Sequence, residues 1–246
     1  MNEEFAHINQ MRAVTISREY GSGGGAIATR LAKRLRWQLI DHAVVERVAS
    51  EIGTSLEETE EHDEHTQGII SQVLGSLLYL YPGYMAGAPP GAFLSDKEYR
   101  DSFNKIVKAA AARGHVVIVG RASQVILADL RDVLHVRVIA TFEQRVAYVM
   151  QREGVDRHTA EAHIHQKDHE RASYLEREYH YKPDDEHLYD LVLNTSLLDL
   201  ESAVDIICFT LEQQAKCLAK TTGELGPATG LARYPAQPED FPSLAH

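Results

Sequence analysis

A chain of 246 residues, 44% of them hydrophobic and 25% charged, is long enough for one large domain and apolar enough for a sizeable core. Its formal net charge of −11, from 36 acidic against 25 basic residues, argues against a protein that wraps long DNA or RNA, whose binding is dominated by phosphate neutralisation. Small phosphorylated ligands in a local basic pocket remain compatible with it.

Cys208 and Cys217 fall in one expected helix at a spacing that does not make them face each other, so no disulfide is expected and a reducing compartment suits them. The opening MNEEFAHINQMR has no basic region followed by an apolar run, and no stretch reaches the roughly 18 apolar residues of a membrane span. A cytoplasmic protein without a membrane segment is expected.

Residues 1–11 read as an N-terminal extension. The β-branched run Ala13–Ser17 is followed at once by the turn-rich EYGSGGG, then by Ile27, Leu31 and Leu35 on one helical face. Strand, glycine loop and helix open a βαβ unit. A short strand over Gln38–Ile40 ends on Asp41, and a helix is expected from Ala43 to about Glu51. Glu57–His65 is a charged stretch that reads as a solvated helix face or loop. An apolar helix follows over Thr66 to about Tyr81, and the glycines and prolines of Pro82–Gly91 require a loop. Residues 54–95 together read as an inserted helical lobe.

Alternation then resumes. The pattern predicts helix Asp96–Arg113, strand His115–Val119, helix Ala122–Leu130, strand Val133–Ile139, helix Phe142–Glu153 and a long charged helix over Asp156–Tyr179. Strand Asp190–Leu193 and helix Leu200–Lys220 close the domain, which therefore spans 12–220; from Thr221 a glycine- and proline-rich tail is expected. Strands alternating with helices argue for an α/β fold, a parallel sheet covered on both faces.

Gly21, Ser22, Gly23, Gly24 and Gly25 sit where backbone N–H groups at a helix start converge on phosphate. Against the P-loop pattern G-x-x-x-x-G-K-[ST], Arg18 occupies the first glycine, and Gly24 and Gly25 replace the lysine and the hydroxyl residue. The loop can cradle phosphate by backbone alone but lacks the usual point charge, which Arg18 at its entrance could supply to the β- or γ-phosphate. A dinucleotide fold competes, since Gly21–Ala26 contains G-x-G-x-x-A and Asp41 lies where a ribose-binding acid would. The downstream arginines, which such a site does not require, count against it.

The run ISREYGSGGGAIATRLAKRL with Ile40-Asp41, followed in order by VVIVGRASQVIL, LHVRVIATFEQRV, KDHERASYL and YDLVLNTSLL, resembles the cytidylate kinase-like family of nucleoside monophosphate kinases over roughly residues 12–212. The resemblance implies a P-loop fold with a helical insertion and lid, and transfer of the ATP γ-phosphoryl group to CMP or dCMP with Mg²⁺. It implies acceptor-phosphate roles for Arg47 and Arg121, with Asp41 nearby, a lid-hinge role for Arg145 near the ATP phosphates, and acceptor and lid roles for Asp168 and Arg171. Its partners are then small nucleotides. The sequence departs from the pattern at the P-loop lysine and at an earlier lid arginine, where it has Ile164. A nucleotide-binding regulator with the same fold and little turnover is the alternative.

Of the histidines in the long charged helix (His158, His163, His165, His169), His165 and His169 could share a metal by spacing, but no cysteine partners them and a solvated face is the expected reading. Tyr174, Tyr179 and Tyr181 either pack that helix or line a base pocket. Trp37 is expected to pack at a helix–strand junction.

Overall fold

The computed structural model describes residues 6–41 and 96–220. Arg47, the helices expected over 43–51 and 66–81, the charged run 57–65, the loop 82–91 and the tail from 221 lie outside the described residues.

After a 3-10 turn at Ile8–Gln10, the described elements are β1 (Ala13–Arg18), α1 (Gly24–Leu35), β2 (Gln38–Ile40), α2 (Asp96–Arg113), β3 (Val116–Val119), α3 (Ser123–Ile126), β4 (Val133–Ile139), α4 (Phe142–Glu153), α5 (Arg157–Tyr179), a 3-10 turn at Glu186–Leu188, β5 (Leu191–Asn194) and α6 (Leu200–Leu218). Five strands form one parallel sheet in the order β2-β3-β1-β4-β5. In a dinucleotide-binding fold β2 neighbours β1. Here β3 stands between them, which removes the dinucleotide reading.

Successive side chains on a strand point to opposite faces, and the core divides accordingly. Val14 and Ile16 of β1, Val117 and Val119 of β3, and Leu134, Val136 and Val138 of β4 pack with Ile27 and Leu31 of α1 and Val204, Ile207 and Leu211 of α6. On the other face Ala13, Val116, Ile118 and Val133 meet Phe103, Ile106 and Val107 of α2 and Leu127. Each fully buried Leu, Ile or Phe contributes about 1.5–3 kcal/mol of transfer free energy. Trp37, 8% exposed, packs between α1 and β2 with its ring 5.3 Å from that of His115.

Helix ends are set locally. Asp156 and Asp199 cap α5 and α6 by accepting from Thr159 N, and from Glu201 N and Ser202 N. Lys33 and Arg34 sit in the last turn of α1, where the helix dipole favours cations. The helix expected over Ala122–Leu130 is α only at Ser123–Ile126. Ala122 adopts a left-handed φ of 52°, and Ala128 and Leu130 bond three residues back, to Val125 and Leu127, so the chain tightens into turns before β4. β3 starts at Val116 rather than His115, because Gly114 and His115 both have positive φ. Cys208 and Cys217 are free, and among the described residues no helix is long and apolar enough to cross a membrane.

Candidate active site

In a parallel sheet flanked by helices, the carboxyl ends of the strands open into the crevice where ligands bind. A cleft of about 500 Å³ lies there, walled by the ends of β1, β3 and β4, by Gln124 of α3 and by α5. Arg18, Arg121 and Arg171 line both it and an adjoining hollow.

Arg18 ends β1. Its Cβ lies 2.6 Å from where a Cβ on Gly24 would stand, and its Nη1 lies 2.3 Å from where one on Gly120 would. The side chain thus crosses from the glycine loop to the end of β3 over two glycines, and at Gly24 any side chain would collide with its Cβ. The position that carries the lysine in the usual loop has lost its side chain, and the position facing it across the contact has gained a cation.

Among the described residues Asp41 is the acid that acts on the Arg18 guanidinium, against two neighbouring arginines. Burial, with Arg171 and then Arg121 adding repulsion and Asp41 opposing, brings its pKa down to about 10. Burial likewise lowers Arg171, opposed by Asp168. A buried arginine with two more arginines beside it in one cleft is a site arranged for an anion.

Arg121 follows the left-handed Gly120 and has a left-handed φ of 57° itself, with Ala122 at 52°. A non-glycine residue there costs about 1–2 kcal/mol. The conformation aims its guanidinium between the rings of Phe103, at 4.7 Å, and Tyr174, at 5.9 Å. Tyr174 therefore both lines the cleft and packs with Tyr179 and Tyr181 around Leu175 and Tyr189, and Tyr179 OH donates to Asn104 Oδ1 at 2.7 Å.

Asp168 accepts from Tyr20 N at 2.7 Å and from Arg145 Nη1, and lies 3.7 Å from Arg171 Nη1. Arg145 also donates to Tyr20 O at 3.3 Å, and its Nε lies 3.6 Å from Glu19 Oε2. These contacts tie α4 and α5 to the loop entrance. Arg145, 11% exposed, is not among the residues lining the cleft, whereas Asp168 and Arg171 are. Ile164, where the resemblance expects an arginine, is buried beside Val146 and Val149. Ser22 turns its hydroxyl inward to Glu19 O and Val138 O, at 2.9 and 3.1 Å, leaving backbone rather than side chain at the loop surface. Gly23 begins α1 with no side-chain cap.

Comparison with known proteins agrees with this architecture. The model of the cytidylate kinase-like family matches residues 13–197. The chain belongs to that family. A cytidylate kinase from Ignicoccus hospitalis is 27% identical over 198 residues, covering 80% of this chain and 97% of that protein. A uronate isomerase from Corynebacterium glutamicum is 28% identical over 116 residues, 47% of this chain, and the chain spans only 22% of its length. The crystal structure of an uncharacterized protein from Eubacterium ventriosum superposes with a TM-score of 0.60 at 21% identity, over 81% of this chain and 98% of that one, and shares the fold. The chain is thus a P-loop α/β protein of a kinase family, and its general chemistry is phosphotransfer.

Sequence reasoning missed Arg137, Tyr189 and Lys182. Arg137 lies in the cleft wall, donating to Ser17 Oγ and Tyr189 OH. The signal was present in LHVRVI, where His135 and Arg137 interrupt an apolar strand at alternate positions and so share one face. The α5 histidines disperse: His163 Nδ1 meets Glu153 at 3.0 Å, His165 stacks on Phe142 at 5.1 Å, and His169 lies 3.4 Å from Ser173 Oγ.

Glu153 closes a further contact to the loop. Hydrogen bonds from Tyr20 OH, then His163 and Arg152, hold its carboxyl at about 2, below the ordinary 4.5. Ionised Glu153 therefore stabilises the fold above pH 4.5, and that contribution fades as pH falls toward 2. Glu153→Gln is expected to lower Tm at pH 7 and to lower it progressively less from pH 4.5 downward. Thermal melts across that range check this; a gap that does not depend on pH would show that ionisation is not involved.

Proposed function

We propose that this chain transfers the γ-phosphoryl group of ATP to CMP or dCMP. The observation that carries the reading is the convergence of Arg18, Arg121 and Arg171 on one cleft at the ends of β1 and β3, beside the glycine loop. Two polyanions must approach each other for this reaction, and positioning and charge neutralisation supply nearly all of the catalysis. An acceptor phosphate oxygen attacks the γ-phosphorus while its bond to the β–γ bridging oxygen breaks, giving ADP and a nucleoside diphosphate. Arg121 and Arg171 would hold the acceptor phosphate from the β3 and α5 sides. Arg18, reaching from the loop to Gly120, would stand between donor and acceptor and neutralise the group in transit.

The uncapped α1 N-terminus suits the donor phosphates. Magnesium would neutralise charge on the β- and γ-phosphate oxygens. Gly24 and Gly25 offer it no hydroxyl, and no three acidic or histidine side chains stand together as a metal site among the described residues. The phosphates would therefore hold it, with Glu19 and Asp168 as carboxylates in the cleft wall. Arg145 would act through Asp168 and the loop backbone rather than by touching nucleotide. Arg47, on the family pattern, would add to the acceptor side.

The occupation of Tyr20 N by Asp168 favours a second reading, a nucleotide-binding regulator in which that carboxylate keeps the loop from its ligand. One assay separates the two. Steady-state rates with CMP, dCMP, AMP and GMP, with and without Mg²⁺, should show the cytidine nucleotides fastest and no turnover without the metal. Equal rates across the four would remove the acceptor assignment, and nucleotide binding without turnover would favour the regulator.

A further inference from the structure

The cleft has a second cationic end that this transfer does not employ. The register of β1 and β4 pairs Thr15 with His135 and Ser17 with Arg137, all on one face of the sheet. The first pair is sealed in the core, hydroxyl to ring nitrogen at 2.7 Å. The second, two residues nearer the carboxyl ends, reaches the cleft wall.

Arg137 Nη1 donates to Ser17 Oγ at 3.3 Å and to Tyr189 OH at 3.4 Å, and its guanidinium lies 5.5 Å from the centre of the Tyr189 ring. Tyr189 OH is fixed in turn by donating to Pro183 O at 3.0 Å. Among the described residues no carboxylate pairs with Arg137. Lys182, adjoining Pro183, lines the same cleft and has no ion pair among the described residues either.

Two long hydrogen bonds to neutral hydroxyls orient a guanidinium without compensating its charge, and a half-buried cation on a mostly buried strand is costly unless something neutralises it. Arg121 follows β3 and Arg137 lies on β4, with β1 between them, so the strands that carry them are about 10 Å apart. A ligand with its phosphate at Arg121 and Arg171 would place its far end at Arg137.

We propose that Arg137, with Ser17, Tyr189 and Lys182, is a subsite for a second anionic group, a carboxylate or a second phosphate, on the phosphate acceptor. The proposal rests on the reading that the acceptor phosphate sits at Arg121 and Arg171, and it makes the preferred acceptor a nucleotide with a second anionic group, which CMP and dCMP lack. A guanidinium fork takes two oxygens of such a group side by side, and the lysine adds a point charge at the mouth. A neutral nucleobase edge, the other occupant the space would admit, supplies hydrogen bonds but leaves the charge uncompensated.

Calorimetric titration of CMP, cytidine 3′,5′-bisphosphate and orotidine 5′-monophosphate tests it, since the second carries an extra phosphate on the ribose and the third a carboxylate on the base. Wild-type protein is expected to bind at least one of the doubly anionic ligands about 10- to 100-fold more tightly than CMP, and which of them wins identifies the group. In Arg137→Met that advantage should shrink to about 3-fold or less, with partial return in Arg137→Lys. Lys182→Gln, on an exposed segment where folding is not at stake, should reduce the same advantage severalfold.

If CMP binds as tightly as both other ligands, or if the variants weaken all three alike, the subsite is overturned. CMP turnover is measured separately. Arg137-dependent preference in a protein that leaves CMP unphosphorylated keeps the subsite and removes the acceptor assignment. CMP turnover without any such preference does the reverse.

Discussion

Arg121→Ala is expected to lower kcat/KM by about 30- to 1000-fold, a loss on the order of 2–4 kcal/mol of transition-state stabilisation. The expectation rests on three observations together. Arg121 lies directly beyond a fully buried strand, so its place is fixed by the sheet. Its backbone is left-handed at φ 57°, a conformation an arginine adopts at a cost and that places its side chain in the cleft. Its guanidinium is held between Phe103 and Tyr174, so it reaches a phosphate already oriented. Losing the two ring contacts should cost about 1–2 kcal/mol, a fall in Tm of about 2–8 °C with the transition still cooperative. Arg121→Gly separates structure from function, because glycine relieves the left-handed strain and should regain part of the stability without regaining rate. Arg121→Lys keeps the charge but not the fork, and should fall between. A normal rate in Arg121→Ala, or a collapse of folding with the rate per folded molecule unchanged, would make the residue structural.

The parts of this architecture that could be read from the sequence are those fixed by local pattern. β2, α2, β4 and α4 fall within the boundaries that apolar periodicity and breakers set, whereas Asp156, expected inside its helix, caps it instead. The glycine loop and the end of β3 were legible because a glycine soon after a β-branched run permits the positive φ that a sharp turn needs, 83° at Gly21 and 76° at Gly120. What the sequence did not disclose depends on register between distant segments. Arg137 joins the cleft because β4 pairs with β1 so that it stands beside Ser17, 120 residues away. Asp168 reaches Tyr20 N because α5 folds back across the loop entrance, a contact spanning 148 residues that no spacing rule anticipates. Arg145 pairs with Asp168 and Tyr20 O at the loop entrance rather than lining the cleft for the same reason.

Transplanting the missing P-loop lysine into this loop is expected to fail unless Arg18 is removed with it. The would-be Cβ of Gly24 lies 2.6 Å from Arg18 Cβ, an atom next to the backbone that cannot swing aside. Gly24→Lys should therefore overpack the loop, costing about 1–3 kcal/mol of stability and, through displacement of Arg18, at least about 100-fold in kcat/KM. Arg18→Gly alone should lose a comparable factor in rate without that loss of stability. Arg18 in fact opposes folding of the unliganded protein. Burial, with repulsion from Arg171, lowers its pKa to about 10, so the charged form is penalised in the fold at every pH below that, and the penalty fades as the group deprotonates above it. Arg18→Met is accordingly expected to raise the Tm of the apo protein by about 2–8 °C, for a gain on the order of 1–2 kcal/mol, while the rate falls. The double variant Arg18→Gly/Gly24→Lys restores a glycine opposite a lysine across the same contact, with the cation now entering from the helix rather than the strand. It should fold like wild type and turn over faster than either single variant, a coupling of about 0.5–3 kcal/mol in the double-mutant cycle. Strict additivity, or a Gly24→Lys protein that folds and turns over normally, would show that Arg18 and the lysine position do not share one role.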